Sequence, residues 1–395
     1  MRPIALFNSL LFNPRQTPRF AMSFKASVRL GALLLLLTAL SFTAEAANTT
    51  KHKKAPKKPA AMAAKAKKKP VTPIYESYAA RPAAMGQVEA IASKTQLDPA
   101  WVRQVLGQAR HIPAITQLVL PPAVSVPKNW RAYRERFVEP VRINAGLLFW
   151  QAHAKTLARA EATYGVPAKY IVSIIGIESL YGRNTGNFKV IDALATLAFD
   201  FPAEHPRAAA RQAFFRDELE QFLVMSHRNA TNPLNAKGSY AGAIGLPQFM
   251  PSSINRYAVD FDGDGKVDLF NSADDVIGSV AHYFQAFNWQ TGAPTHFAIQ
   301  MNPAKLDLPG LLAPDILPTF DQATLLEKGV ALLPQDKVYN GKLALVELQN
   351  GSDPPSYVAG TDNFYTITRY NWSSYYAMAV IELGDAVARE MQSKP

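Results

Sequence analysis

The chain contains no cysteine in 395 residues. That absence excludes disulfides, thiolate metal sites, a cysteine nucleophile and a lipid-modified N-terminal cysteine. The apolar run from Leu30 to Leu40 is short against the roughly 20 residues a membrane span needs. The folded body also lacks a basic surplus, although the formal net charge is +11. Residues 1–47 carry Arg2, Arg15, Arg19, Lys25 and Arg29 against Glu45, and residues 48–73 carry nine lysines and no acid. Residues 74–395 therefore carry a net charge of −2. The basic surplus belongs to one end, and a nucleic-acid-binding fold is not implied. No solenoid-type repeat is present. A hydrophobic content of 48% is globular, and the length suffices for one large domain or two smaller ones.

Lys25 and Arg29 precede the apolar run, and Ala44-Glu45-Ala46 follows it. A basic flank, a short apolar stretch and an A-x-A site form a secretory signal peptide. Met22 suits the start, because the residues before it add nothing that a signal needs. Residues 1–47 are thus read as extension and signal, with cleavage near Ala46 and a soluble, exported product. The alternative is an uncleaved anchor. Residues 48–73, rich in Lys, Ala and Pro, cannot bury apolar surface and are expected to be a disordered spacer. As a polycation they also suit weak association with an anionic wall or membrane surface.

From Ile74 to about Phe287 the pattern is mostly helical. Helices are predicted over Gln87–Thr95, Pro99–Ala109, Asn129–Phe137, Ala145–Tyr164, Asp192–Phe199 and Ala208–Met225. Residues 293–322 are Pro-rich and read as loop. Lys342 to Gln349 alternates like a strand, Asn350-Gly351 is a turn signal, and Tyr357 and Phe364–Thr368 suggest returning strands. A last helix is predicted over Ser373–Met391. The expectation is a mainly α, α+β chain with a small β attachment.

Three stretches carry chemistry. In PAKYIVSIIGIESLYG, Pro167 suits a helix start and Gly182 a helix end. Ile171, Ile174 and Ile175 form an apolar stripe, and Glu178 is the next position on it. A buried carboxyl in the last turn of a helix has its charged form disfavoured twice, by desolvation and by the helix dipole. It keeps its proton, which a general acid requires. A surface salt bridge is the plainer reading of the same residue. In SYAGAIGLPQFMPSS, small residues let backbone approach a ligand. Gln248, beside Tyr240 and Phe249, suits the polar edges and apolar faces of a sugar, or else caps backbone in a tight loop. In DFDGDG, Asp260, Asp262 and Asp264 fall at positions 1, 3 and 5 of an EF-hand-type Ca²⁺ loop, with Gly265 at 6 and the Lys266 carbonyl at 7. Position 12 is Asn271 and not Glu, so Asp274 or Asp275 is left to close the site.

Together these stretches resemble the B family of lytic murein transglycosylases. The resemblance spans roughly residues 74–391. It rests on IIGIESLYGRNTG, DALATLAFDFP, SYAGAIGLPQFMPSSINRYAVDFDGDG and NFYTITRYN. It implies a lysozyme-like helical catalytic domain with an added α region, a Ca²⁺ loop and a small β subdomain. It also implies that Glu178 is the single acid/base, that Ser239 and Gln248 bind glycan, and that Tyr133, Tyr283, Tyr370 and Tyr376 line the cleft. Arg211 is a further cleft candidate in a stretch where Ala203–Ala210 looks inserted. Asp260, Asp262, Asp264 and Asp275 match the calcium ligands. The implied reaction cleaves peptidoglycan glycan strands and closes a 1,6-anhydro ring, with no organic cofactor. A hydrolytic muramidase using Asp192 or Asp200 as second carboxylate, and a non-catalytic peptidoglycan-binding protein, are the alternatives.

Overall fold

The computed structural model of the chain describes residues 75–121, 127–334 and 338–393. The expected signal segment, 1–47, and spacer, 48–73, lie outside the described residues.

The helix Ala168–Ser179 runs through the middle of the main core, and every residue of it except Lys169 is buried. Four helices pack against it: Pro140–Ala152, Ala154–Tyr164, Ala273–Ala286 and Ser374–Ser393. Beside this group lie Val190–Phe199 and Ala208–Arg228, which pack on each other, and the short helix Pro251–Tyr257. Val88–Thr95 and Pro99–Gln108 close one side. Asp98 starts the second of these, accepting from the Ala100 amide at 2.9 Å with Pro99 at the first helical position. Asn129 does the same for Trp130–Glu135, accepting from the Ala132 amide.

Between Phe287 and the last helix stands a four-stranded antiparallel sheet. Its order is Val330–Leu333, His296–Met301, Asp353–Gly360, Ala344–Asn350. The sheet has its own small core, with Phe297, Leu325, Val330, Leu345 and Ala359 buried. Asn350-Gly351 makes the expected turn, with Gly351 at φ +69.

Three predicted elements differ. The helix expected over 145–164 is two helices, broken at His153 (φ −119, ψ 24). No Pro or Gly marks the break; tertiary packing causes it, because the first half packs on Ser374–Ser393 and the second on Ala273–Ala286. The Pro-rich stretch 293–322 contains the strand His296–Met301 and the short helix Leu308–Leu312. Phe364–Thr368 is helical, within Asp362–Thr368, because Thr361 caps it by accepting from the Asn363 amide. β-Branched and aromatic content is outweighed there by a cap and a buried face.

Candidate active site

The last turn of the helix Ala168–Ser179 is closed by an unusual exit. Leu180, Tyr181 and Gly182 all have left-handed backbone, at φ +51, +55 and +86. The amides of Leu180 and Tyr181 return to the carbonyls of Gly176 and Ile175, and Ser179 Oγ accepts from the Gly182 amide at 3.0 Å. Left-handed backbone costs roughly 1–2 kcal/mol at each residue bearing a side chain. Such strain clusters at functional sites, and here it lies two residues past a buried carboxyl.

That carboxyl is Glu178, 8% exposed. Its Oε1 accepts from Tyr376 Oη at 2.6 Å. Burial pushes its pKa from 4.5 up to about 8, against the opposing effect of the Tyr376 hydrogen bond. Oε2 has no hydrogen-bond partner among the described residues, and it is not one of the sealed, unsatisfied oxygens. One oxygen is therefore oriented by protein, and the other takes no protein donor among the described residues.

Tyrosines surround the carboxyl. Glu178 raises the pKa of Tyr133, Tyr283, Tyr370 and Tyr376 in each case after the larger effect of burial, so all four lie within its field. Tyr376 is fully enclosed and stacks on Tyr370, ring centroids 6.3 Å apart. Tyr370 donates to the Pro247 carbonyl at 2.5 Å, and Tyr283 to the Arg369 carbonyl at 2.7 Å. Tyr133 is only half-buried and packs on Trp130 and Tyr375. Of the expected cleft tyrosines, Tyr133 thus keeps open surface. Tyr283 and Tyr370 spend their hydroxyls on main chain, and Tyr376 spends its own on Glu178.

The Gly-rich stretch crosses beside them. Ser239 is completely enclosed, its Oγ accepting from the amides of Ala241 and Ala243 at 3.3 and 3.0 Å. It shapes the loop from within and presents no surface. Gly245, at φ +72, lies where a Cβ would stand 2.4 Å from the Leu269 carbonyl oxygen, so no larger residue fits. Gln248 is half-buried with left-handed backbone at φ +51. Its Nε2 donates to the carbonyls of Thr185 and Gly245, at 3.1 and 2.8 Å. The amide nitrogen braces backbone, as the tight-loop reading expects, and the residue keeps some exposed surface. Arg211 is half-buried beside Phe214 and Phe215, and its charge acts on Tyr240 in the same Gly-rich stretch.

Asp192 and Asp200 are not brought to Glu178. Asp192 accepts from the Arg110 amide at 2.9 Å, and Asp200 from Tyr78 Oη at 2.6 Å while also pairing with Arg81. Both face the N-terminal helices, and neither perturbs Glu178. The sequence reading did not single out Glu218, a second buried carboxyl. It lies on the apolar stripe Phe215, Leu219, Phe222, and burial pushes its pKa up to about 7. Its two oxygens accept from the amide and hydroxyl of Ser252, at 2.9 and 2.6 Å, fixing the helix that follows the Gly-rich stretch.

The acidic loop is a different kind of site. Asp260, Asp262 and Asp264 are exposed, with carboxylate oxygens within 4.8 Å of one another. Asp260 accepts from the amides of Gly263, Asp264 and Gly265. Desolvation acts on it in the upward direction, but these amides outweigh it and hold its pKa below the usual carboxylate range. The Lys266 amide donates to Asp264 at 2.8 Å. Asp275 does not join the three. It is buried, and its two oxygens accept from the amides of Phe261, Asp262 and Asp268. In this arrangement Asp275 shapes the loop from beneath, and its expected place among the metal ligands is left to experiment. Asp274 is also drawn away, to Thr156.

The family described as Transglycosylase SLT domain matches residues 80–385. The chain is 39% identical over 320 residues to the membrane-bound lytic murein transglycosylase B of Escherichia coli K12, covering 79% of this chain and 84% of that protein. Among solved structures, the soluble lytic transglycosylase SltB1 of Pseudomonas aeruginosa matches with a TM-score of 0.71 and 40% identity, over 79% of this chain and 100% of that one. The Escherichia coli lytic transglycosylase Slt35 in complex with calcium matches with a TM-score of 0.69 and 36% identity, over 80% and 95%. With a buried carboxyl held by a tyrosine at the heart of the matched region, the chain belongs to the SLT family of lytic murein transglycosylases.

Proposed function

We propose that the chain cleaves the β-1,4 bond between N-acetylmuramic acid and N-acetylglucosamine in peptidoglycan glycan strands, leaving 1,6-anhydromuramoyl ends, in turnover of the cell wall. The observation that carries this reading is Glu178: one carboxyl, buried and held by Tyr376 Oη, with its pKa pushed up to about 8 and no second carboxylate acting on it among the described residues. Hydrolytic glycosidases use two carboxyl groups. A single carboxyl suffices when the sugar supplies its own nucleophile. Glu178 gives its proton to the glycosidic oxygen and becomes a carboxylate, which the Tyr376 hydroxyl stabilises. It then takes the proton of the C6 hydroxyl as that oxygen attacks the anomeric carbon. Intramolecular attack gains from proximity, and no water is consumed. Tyr133, Gln248 and Arg211 supply the surface that orients the glycan.

The catalytic unit spans residues 74–391. Asp260, Asp262 and Asp264, with the Lys266 carbonyl, would hold Ca²⁺; three clustered exposed carboxylates suit a hard, oxygen-seeking cation. The ion would supply charge neutralisation to the loop, and no step passes through it. The A-x-A site supports export to the periplasm, with a mature chain beginning near Ala47. No helix among the described residues is long and apolar enough to cross a membrane. The Lys-rich segment 48–73 supports weak attraction to an anionic wall or membrane surface.

Mass spectrometry of the fragments released from purified sacculi tests the activity. Anhydro ends are expected. Reducing ends would identify a muramidase, and no fragments a binding protein.

A further inference from the structure

The helix Pro140–Ala152 lies against the back of the catalytic helix, and Arg142 near its start reaches two places at once. Arg142 Nε donates to the Gly176 carbonyl at 3.0 Å, two residues before Glu178. Its Nη1 donates to the Arg136 carbonyl at 2.6 Å and contacts the Phe137 carbonyl at 3.4 Å. Those two carbonyls belong to the turn ending Trp130–Glu135, the helix that carries Tyr133. The guanidinium also covers the Phe137 ring, which in turn packs 5.0 Å from the Tyr133 ring. The side chain is 12% exposed, and Glu139, its one acidic partner among the described residues, is 3.2 Å away.

The packing around it is close. Tyr181 fits between the two helices only because Gly146 and Gly176 lack side chains; a Cβ at either would stand 2.4 Å from its Oη. That hydroxyl is buried with no hydrogen-bond partner among the described residues. Among the described residues Arg142 joins these segments by polar contacts, and it does so at the C-terminal end of the catalytic helix, where a cation is favoured. A planar guanidinium can bond several carbonyls at fixed angles; an ammonium on a flexible stem cannot reproduce that.

We propose that Arg142 is a positioning residue that ties the Tyr133 wall of the cleft to the turn bearing Glu178, and so sets the distance between the group that orients the sugar and the group that protonates it. It touches no substrate. The inference rests on Glu178 being the acid of the lytic reaction.

The test uses Arg142→Lys and Arg142→Met, assayed for kcat and KM by release of anhydro-muropeptides from solubilised glycan strands, alongside melting temperature. Misplacement of a catalytic group by about an ångström costs up to roughly a hundredfold. The Lys variant, which keeps charge and bulk, should melt near wild type while kcat falls about ten- to a hundredfold and KM moves less. Tyr133→Ala should cost less in the Arg142→Lys background than in the wild type, because the coupling is already broken. If Arg142→Met fails to fold, the Lys variant decides. A folded Lys variant with wild-type kcat overturns the inference, and so does a loss that follows melting temperature and adds independently to Tyr133→Ala. A wild-type enzyme that makes no anhydro ends overturns the proposed reaction itself, and with it this inference.

Discussion

Two acidic regions of this protein solve opposite problems. At Glu178 a lone carboxyl sits among tyrosines with a single hydrogen bond, and burial raises its pKa to about 8. Around residues 260–275 several carboxylates sit together, and backbone amides satisfy them. The Asp260 carboxyl is held below its ordinary range. The difference comes first from burial and then from the number of donors: Asp260 is exposed and takes three amides, whereas Glu178 is enclosed and takes one phenol. An exposed carboxylate given three amides, as Asp260 is, stays charged and organises a loop or a cation. One that is buried and given a single phenol keeps its proton and can deliver it.

The sharpest way to break this contrast is Glu178→Gln. The amide is nearly isosteric, so the packing of Ile171, Ile174 and Ile175 should survive. It can neither give nor take the proton, and the same residue serves both steps. General acid–base catalysis is typically worth about 10²–10⁴-fold, and activity should fall by at least that amount. The stability consequence has a definite sign. The folded state holds the Glu178 proton up to about pH 8, whereas the unfolded chain releases it near 4.5. Wild-type stability should therefore fall as pH rises through that window. The Gln variant does not titrate, so its melting temperature should gain on wild type between pH 5 and 8. Equal slopes for the two proteins would show that Glu178 is ionised at neutral pH.

Tyr376→Phe sharpens the same point with a smaller effect. The phenol donates to the carboxylate and opposes the upward shift, so removing it should raise the Glu178 pKa further. The alkaline limb of the kcat profile should move to higher pH. The step that forms the anion, proton transfer to the glycosidic oxygen, should slow by about tenfold, the lower end of what a hydrogen bond to a charged group is worth. A limb that moves down would reverse the assigned role of Tyr376.

Much of the site was legible in the sequence, because it depends on local periodicity. The stripe Ile171, Ile174, Ile175 led to Glu178, and the spacing of Asp260, Asp262 and Asp264 led to their cluster. The same periodicity does not separate a catalytic carboxyl from a structural one. Glu218 lies on an equivalent stripe, is as deeply buried, and differs by accepting both donors of Ser252. That difference arises from a residue 34 positions away. The role of Arg142 is likewise invisible in sequence, since a basic residue at a helix start signals nothing about a carbonyl in another helix. The His153 break and the helix Asp362–Thr368 were missed because packing partners and a cap outweighed propensity.

The proposed Ca²⁺ binding at the acidic loop is tested by chelation. Ligand binding to the native state alone stabilises by about 2.7 kcal/mol at roughly 100-fold excess over Kd. Removing Ca²⁺ should lower the melting temperature accordingly, and Asp264→Ala should abolish the response. A wild-type melting curve indifferent to chelator would show that the three carboxylates hold no ion of consequence.

Asp275→Asn tests the division of labour within that loop, with the smallest expected effect. Asp264 and Asp275 are carboxylates eleven positions apart, one exposed in the cluster and one buried beneath it. If Asp275 were chiefly a metal ligand, its loss should matter only when Ca²⁺ is present. The structure has it accepting from Phe261, Asp262 and Asp268, so its work is done without the ion. An asparagine keeps one acceptor oxygen and turns an NH₂ group toward amides that need an acceptor. Leaving a buried donor unsatisfied costs about 1–3 kcal/mol. The Asn variant should therefore melt lower than wild type in chelator, by an amount near the bottom of that range because the loop can relax. Asp264→Ala should leave the chelated melting temperature nearly unchanged, since Asp264 is exposed. Thermal melts of both variants, with and without Ca²⁺, make the comparison. If Asp275→Asn is silent in chelator and destabilising only with Ca²⁺, Asp275 is a ligand after all, and the loop closes on it when the ion binds.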